Sequence, residues 1–269
     1  SQRLAMRMSR PIRCANCRSP GTADPPAKPP TRRVYRGRME PRGQDRYSAA
    51  AMMLLPARIS YSRAERLSDA AIHISGLSVA LVAVPVLVTL AVVLHGDAPA
   101  ILGTTIYGLA LIAMILFSAL YNMTEHRRWR AFFRHFDQTA IYCKIAATYT
   151  PFALLSGGHA IWLLIGLWAA AFAASLMRFL APDRLRLLAI AISLAMGWAG
   201  LFAGDSLLAY LSTPVIVLIV TGGALYTVGV LFFLFDRLPF HNTIWHVFVL
   251  AASMVFYAAV TVHLVNTAA

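Results

Sequence analysis

From about Ala70 to the end, roughly 200 consecutive residues form a stack of apolar segments separated by short turns. The segment Ala70–Leu94 (AAIHISGLSVALVAVPVLVTLAVVL) contains one histidine and no formal charge. At about 1.5 Å of rise per residue, some 25 helical residues span the roughly 30 Å hydrocarbon core of a bilayer. A helix on the surface of a soluble core shows a polar face, and this segment has none. The pattern predicts an all-α integral membrane protein. Its function is to be sought in the few polar residues buried among the helices.

Charge placement narrows the class of partner. Only 13% of residues are charged, against roughly 25% in soluble domains. The formal net charge is +13, with a pI near 10.4. Residues 1–66 hold 15 Lys and Arg against 4 Asp and Glu, so the segment ahead of the first apolar span carries +11. Basicity confined to one flank of a membrane helix marks a cytoplasmic end facing anionic lipid. It does not point to nucleic acid.

Residues 1–60 form a basic tail ahead of a membrane domain at 61–269. The first 50 residues are rich in Pro, Arg, Gly and Ser and poor in aliphatics, which predicts disorder. Cys14 and Cys17 make a CxxC, but a zinc ribbon needs a second pair, and Cys143 lies in a membrane segment. No apolar stretch follows the early arginines, so a secretory signal is not expected. Met39, Met52 and Met53 are candidate translation starts, which would make the tail an over-extended reading.

Seven spans are placed at about 70–94, 99–121, 137–156, 159–178, 186–204, 207–235 and 244–266. Their connections alternate in charge. Asn122–Phe136 holds Arg127, Arg128, Arg130 and Arg134; the next basic connection holds Arg178, Arg184 and Arg186; the last holds Arg237. The turns at His95–Ala98, Ser156–His159 and Gly204–Ser206 hold no Lys or Arg. All basic connections fall on one side, which predicts a cytoplasmic N-terminus and an external C-terminus.

On that topology the buried polar residues gather at the cytoplasmic helix ends. Span one brings Glu65, Asp69 and His73, and span two brings Ser118 and Asn122. Span three brings Asp137, with Lys144 two turns deeper, and span seven opens with His241, Asn242 and His246. Four helices delivering carboxylate, hydroxyl, amide and imidazole to one depth suggest a single polar cavity. Helix ends also meet headgroups, so any one of these residues has a bland reading as well. Outward of His73 and Lys144 the spans read as almost purely apolar, which speaks against a water-filled path.

Several of these stretches resemble the hemolysin III family, bacterial members of the progestin and adipoQ receptor superfamily. ERLSDAAIHISG (65–76) is similar to the family's first acidic/His-Gly motif, and FSALYN (117–122) to its Ser-x-x-Tyr-His motif. FDQTAIYCKIAATYTPF (136–152) is similar to its Asp-His-x-x-Ile-Tyr segment ending in Thr-Tyr-Thr-Pro-Phe. HNTIWHVFVLAAS (241–253) resembles its His-x-Ile-Trp-His motif, and YTVGVLFF (226–233) fits its sixth span. The resemblance covers about 61–266 and implies a bacterial inner-membrane location. It also implies a zinc ion on three histidines, one ending span two and two at i, i+4 opening span seven, with the span-three Asp alongside through water. Such a centre could activate water to hydrolyse an amide-linked lipid.

This sequence departs from that pattern. The span-two histidine is Asn122, and four residues before His246 stands Asn242. Among the metal positions Asn122, Asp137, Asn242 and His246, only the Asp and the last His are retained. Asn is a neutral, poor zinc ligand, so a weak site or none is expected and no cofactor is required. His241 lies at i, i+5 from His246, about 140° around the helix, and does not replace Asn242. Gln138 and Phe256 stand where the family carries further histidines. Lys144 has two readings: it compensates for the missing metal's charge, or it snorkels to the headgroups.

Three function classes stay open. A metal-dependent lipid hydrolase needs ligands this chain lacks. A cytolytic channel needs polar residues through the outer half. A non-catalytic protein binding membrane lipid, or sensing the membrane's state, needs only the cavity and a degenerate zinc site, and is the favoured reading.

Overall fold

A capping box starts the first helix. Ser62 Oγ accepts from the Glu65 N–H at 3.2 Å, and Glu65 Oε2 accepts from the Ser62 N–H at 2.7 Å. These reciprocal bonds satisfy amide groups that the first helical turn leaves open. The computed structural model describes residues 62–180, 186–202, 207–235 and 237–268. The tail with its expected disorder, and Cys14 and Cys17, lie outside the described residues.

Among the described residues every extended element is helical: α1 (Arg63–Leu94), α2 (Ala98–Met123), α3 (Arg127–Leu155), α4 (Ile161–Leu180), α5 (Arg186–Phe202), α6 (Thr213–Leu234) and α7 (His241–Ala268). The turns carry the expected chemistry. Gly96 ends α1 with φ 67°, Asp97 caps α2, and Gly157 and Gly158 turn between α3 and α4 at φ 68° and 80°. Five helices, α1, α2, α4, α6 and α7, are long and apolar enough to cross a membrane. Of the other two, α5 has only 17 residues, and α3 opens with Arg127, Arg128, Arg130 and Arg134.

Three helix starts differ from the sequence reading. Span one was expected from about 70, yet α1 begins at Arg63, because the capping box of Ser62 and Glu65 starts the helix ahead of the apolar run. Span three was expected from 137, yet α3 begins at Arg127. Its charged first turns are helical because Trp129, Phe132, Phe133 and Phe136 alternate with the arginines and pack on each other. Phe132 and Phe136 ring centroids lie 4.7 Å apart, and Phe117 of α2 lies 5.0 Å from Phe136. Span six was expected from 207, but Leu208–Tyr210 form a 3₁₀ turn, and Pro214 in the first turn sets the start of α6.

The helices pack α1 on α2, α2 on α3, α3 on α4 and α6 on α7, and α7 returns to pack on α1 and α3. The contact of first and last helices closes the bundle and aligns their starts. Inside lie Leu87, Tyr107, Leu111 and Phe152, while Val82, Val93, Trp162, Phe172 and Phe202 are exposed. An apolar outer surface of this extent suits lipid, not water.

Small residues set the helix spacing. A Cβ on Gly103 of α2 would lie 2.9 Å from the Cα of Pro151 in α3, a backbone atom that cannot swing aside. Gly103→Ala should therefore cost about 1–3 kcal/mol by overpacking. Thermal unfolding of the purified chain in detergent tests this, and an unchanged Tm would show slack between α2 and α3.

Candidate functional site at one end of the bundle

Three helices each contribute a polar pair at i, i+4: Asp69 and His73 on α1, Ser118 and Asn122 on α2, Asn242 and His246 on α7. That spacing places both members of each pair on one helix face. Bundle closure turns the three faces toward each other, and Asp137 of α3 joins them.

Asp69 organises the imidazoles. It is buried, and its Oδ1 lies 2.5 Å from His246 Nδ1. The backbone carbonyl of Asp69 lies 2.8 Å from His73 Nδ1, and its Oδ2 3.6 Å from the same nitrogen. Both contacts assign the hydrogen to Nδ1 in each ring, so each Nε2 presents a lone pair in the neutral form. The two rings meet edge to face, with centroids 4.3 Å apart at 68°.

Both Nε2 atoms converge on one hydroxyl. Ser118 Oγ lies 3.1 Å from His73 Nε2 and 3.4 Å from His246 Nε2, and it also hydrogen-bonds the Asp137 side chain. A serine hydroxyl has a single hydrogen. Two imidazole lone pairs and a carboxylate compete for it, so the cluster has room for one further proton or cation. Accordingly, ligand atoms of Asp69, His73 and His246 all lie within 4.8 Å of one another, a group able to hold a metal ion.

The two asparagines behave differently. Asn122 donates from Nδ2 to the Ser118 carbonyl at 2.9 Å and, more weakly, to Ser118 Oγ at 3.5 Å. Asn242 Nδ2 donates to Asn122 Oδ1 at 3.3 Å. The amides thus bond to each other and close the space between the ends of α2 and α7.

Two other expected members stand apart. Glu65 caps α1, and its Oε1 accepts the Phe240 N–H at 2.9 Å, tying α1 to the α6–α7 connection. Phe240 has φ 57°, a conformation that costs a bulky residue and that this bond helps hold. Lys144 is buried, and its Nζ donates to Thr148 Oγ1 at 2.9 Å, one turn further from the cluster along α3. The ammonium is therefore directed away from the histidines. Gln138 beside Asp137 accepts from Arg178 Nε at 3.2 Å and links α3 to α4.

The half of the bundle away from the cluster is less apolar than its sequence suggests. Tyr107, Ser253 and His263 are buried there, and Tyr226 bonds Ser253 at 2.7 Å. Tyrosine counts as apolar in a hydropathy pattern, and single polar residues vanish into the average of a window.

The sequence profile of the Haemolysin-III related family matches residues 62–257. The chain belongs to the haemolysin III family. It is 33% identical to Hemolysin-3 of Bacillus cereus over 208 residues, covering 76% of this chain and 94% of that protein. Identity to the Hemolysin-3 homolog of Bacillus subtilis is 34% over 206 residues, covering 75% and 95%. The human monocyte to macrophage differentiation factor is 28% identical over 166 residues, covering 58% of this chain and 67% of that protein, which fits the wider receptor superfamily. No solved structure matches. With the apolar helices, membership makes this a multi-pass membrane protein.

At two of the three positions where the family resemblance implies a zinc-binding histidine this haemolysin III member carries amides, with Asn242 donating to Asn122 and Asn122 to Ser118.

Proposed function

We propose that this protein is a seven-span inner-membrane member of the haemolysin III family that binds membrane lipid at a cytoplasmic-side polar site without hydrolysing it. The observation that carries the reading is the Asn122–Asn242 bond at 3.3 Å, standing where zinc chemistry calls for two imidazoles. Zinc hydrolysis needs three protein ligands and an open position for water. A neutral amide pair supplies neither the ligands nor the deprotonated water. What remains is a cluster of hydroxyl, amide, carboxylate and imidazole groups at headgroup depth, which suits hydrogen bonding to a lipid's polar end.

A second reading rests on the three ligand atoms within 4.8 Å of one another in Asp69, His73 and His246. It moves the metal one helix over, from α2 to α1, and keeps the hydrolase alternative. The cytolytic alternative needs one continuous polar path. Seven residues separate Asp137 from Lys144, about 10 Å along α3, and the Lys144 ammonium turns away from the cluster, so the polar groups lie in separate layers.

Incubating the detergent-solubilised full chain with an N-acyl lipid and measuring the amine released tests the central reading. No release above the heat-denatured control is expected. Release abolished by a chelator would overturn the reading. A separate test concerns orientation: a reporter fused after Ala269 should read external, and one in the connection between α2 and α3 should read cytoplasmic. A cytoplasmic signal at Ala269 would sink the seven-span arrangement.

A further inference from the structure

Around Lys144 the hydrogen-bond accounting runs opposite to that of the histidine cluster. Lys144 is 2% exposed, inside the helix bundle. An ammonium has three donors and no acceptor. One donor goes to Thr148 Oγ1 at 2.9 Å, and the Thr148 hydroxyl spends its own hydrogen on the Lys144 carbonyl at 2.7 Å. Nothing acidic pairs with the ammonium among the described residues.

The nearest groups on other helices are aromatic. Nζ stands 4.7 Å from the Tyr107 ring centroid and 5.8 Å from that of Phe256. Ring faces offset part of the charge, far less than a carboxylate would. Tyr107 is fully buried, and its hydroxyl has no hydrogen-bond partner. That hydroxyl is carried by the ring whose centroid lies 4.7 Å from Nζ. Two ammonium donors and the hydroxyl of a ring 4.7 Å away are thus buried without a hydrogen-bond partner. Buried donors left open are costly, and native structures rarely keep them.

We propose that Lys144 and Tyr107 form an anion site inside the bundle that takes the carboxylate of a single-chain lipid or of a small soluble acid. A carboxylate accepts from both donors at once and supplies the missing negative charge. The site is separate from the histidine cluster and stands whether or not the lipid reading of that cluster does.

The test uses the full chain in detergent and follows Tm and binding with laurate, methyl laurate and acetate. Laurate should raise the Tm and methyl laurate should not, because only the former carries the charge. Lys144→Met should weaken laurate binding at least about tenfold, since a charge-assisted bond is lost. It should leave the unliganded Tm unchanged or higher, because an unpaired buried charge has been removed. Tyr107→Phe keeps the ring and its packing and should weaken binding by a smaller factor, which guards against a folding artefact. If acetate matches laurate mole for mole, the source is a small soluble acid and the site stands. Equal binding by Lys144→Met and the unmodified protein, or no carboxylate binding to either, would overturn the proposal.

Discussion

Changing Asn122 and Asn242 together to histidine should give the full-length protein close to one firmly held zinc ion per chain. The change removes the amide pair and places imidazoles at i, i+4 on α7 and at the end of α2, with His246, Ser118 and Asp137 already in place. Three imidazoles with one open position make a sound zinc site. Loss of even an outer-shell partner costs roughly 10–100-fold in affinity. Restoring two direct ligands should therefore tighten zinc binding by more than about 100-fold, read by chelator competition. Either single change should fall well short of the pair. A folded double variant that binds no zinc would show that the ends of α2 and α7 do not converge as described.

The second large effect concerns Asp69. This buried carboxylate bonds His246 Nδ1 and lies beside His73, while its own backbone carbonyl holds the second ring. Asp69→Ala leaves His246 Nδ1 without its acceptor inside the bundle. Losing a hydrogen bond to a carboxylate and leaving the buried N–H unsatisfied costs about 1.5–3 kcal/mol. Asp69→Asn retains an oxygen acceptor and should cost less, about 0.5–1.5 kcal/mol, roughly the value of a neutral buried bond. Unfolding in mixed detergent would measure both. A double-mutant cycle with His246→Ala isolates the pair, and a coupling below about 0.5 kcal/mol would show that the two groups are independent.

How much of this was legible in the sequence differs from feature to feature. The helical membrane class was plain because charge-free runs such as Ala70–Leu94 admit few other folds. Asp69, His73, Ser118, Asn122, Asp137, Asn242 and His246 all stood out as polar residues at matching helix ends. The i, i+4 repeat on three separate helices was also there to be read, and it is the signal that finds the cluster without any metal pattern. What no one-dimensional pattern holds is the pairing itself. Asp69 and His246 lie 177 residues apart, and their bond exists only because α7 returns to α1. The sharing of Ser118 by both Nε2 atoms is likewise a matter of rotamers.

Where the reading and the structure part, the reasons are local. Four arginines made the start of α3 look like a loop, although the aromatics between them favour a helix at a membrane surface. Glu65 was grouped with the cluster by depth alone, yet Ser62 three residues earlier marks it as the acidic half of a capping box. Lys144 shares a helix face with Asp137, which suggested a common site. The bond to Thr148 turns its side chain the other way, a choice that spacing cannot reveal.

Elemental analysis of the unmodified full-length protein, purified without chelators and with zinc available, tests the central claim most directly. Far less than one zinc per chain is expected, because the amides of Asn122 and Asn242 bond each other where the family resemblance implies two histidines. One zinc per chain, lost on His246→Ala, would contradict it. If that zinc were also lost on His73→Ala, the metal would belong to the Asp69, His73 and His246 group.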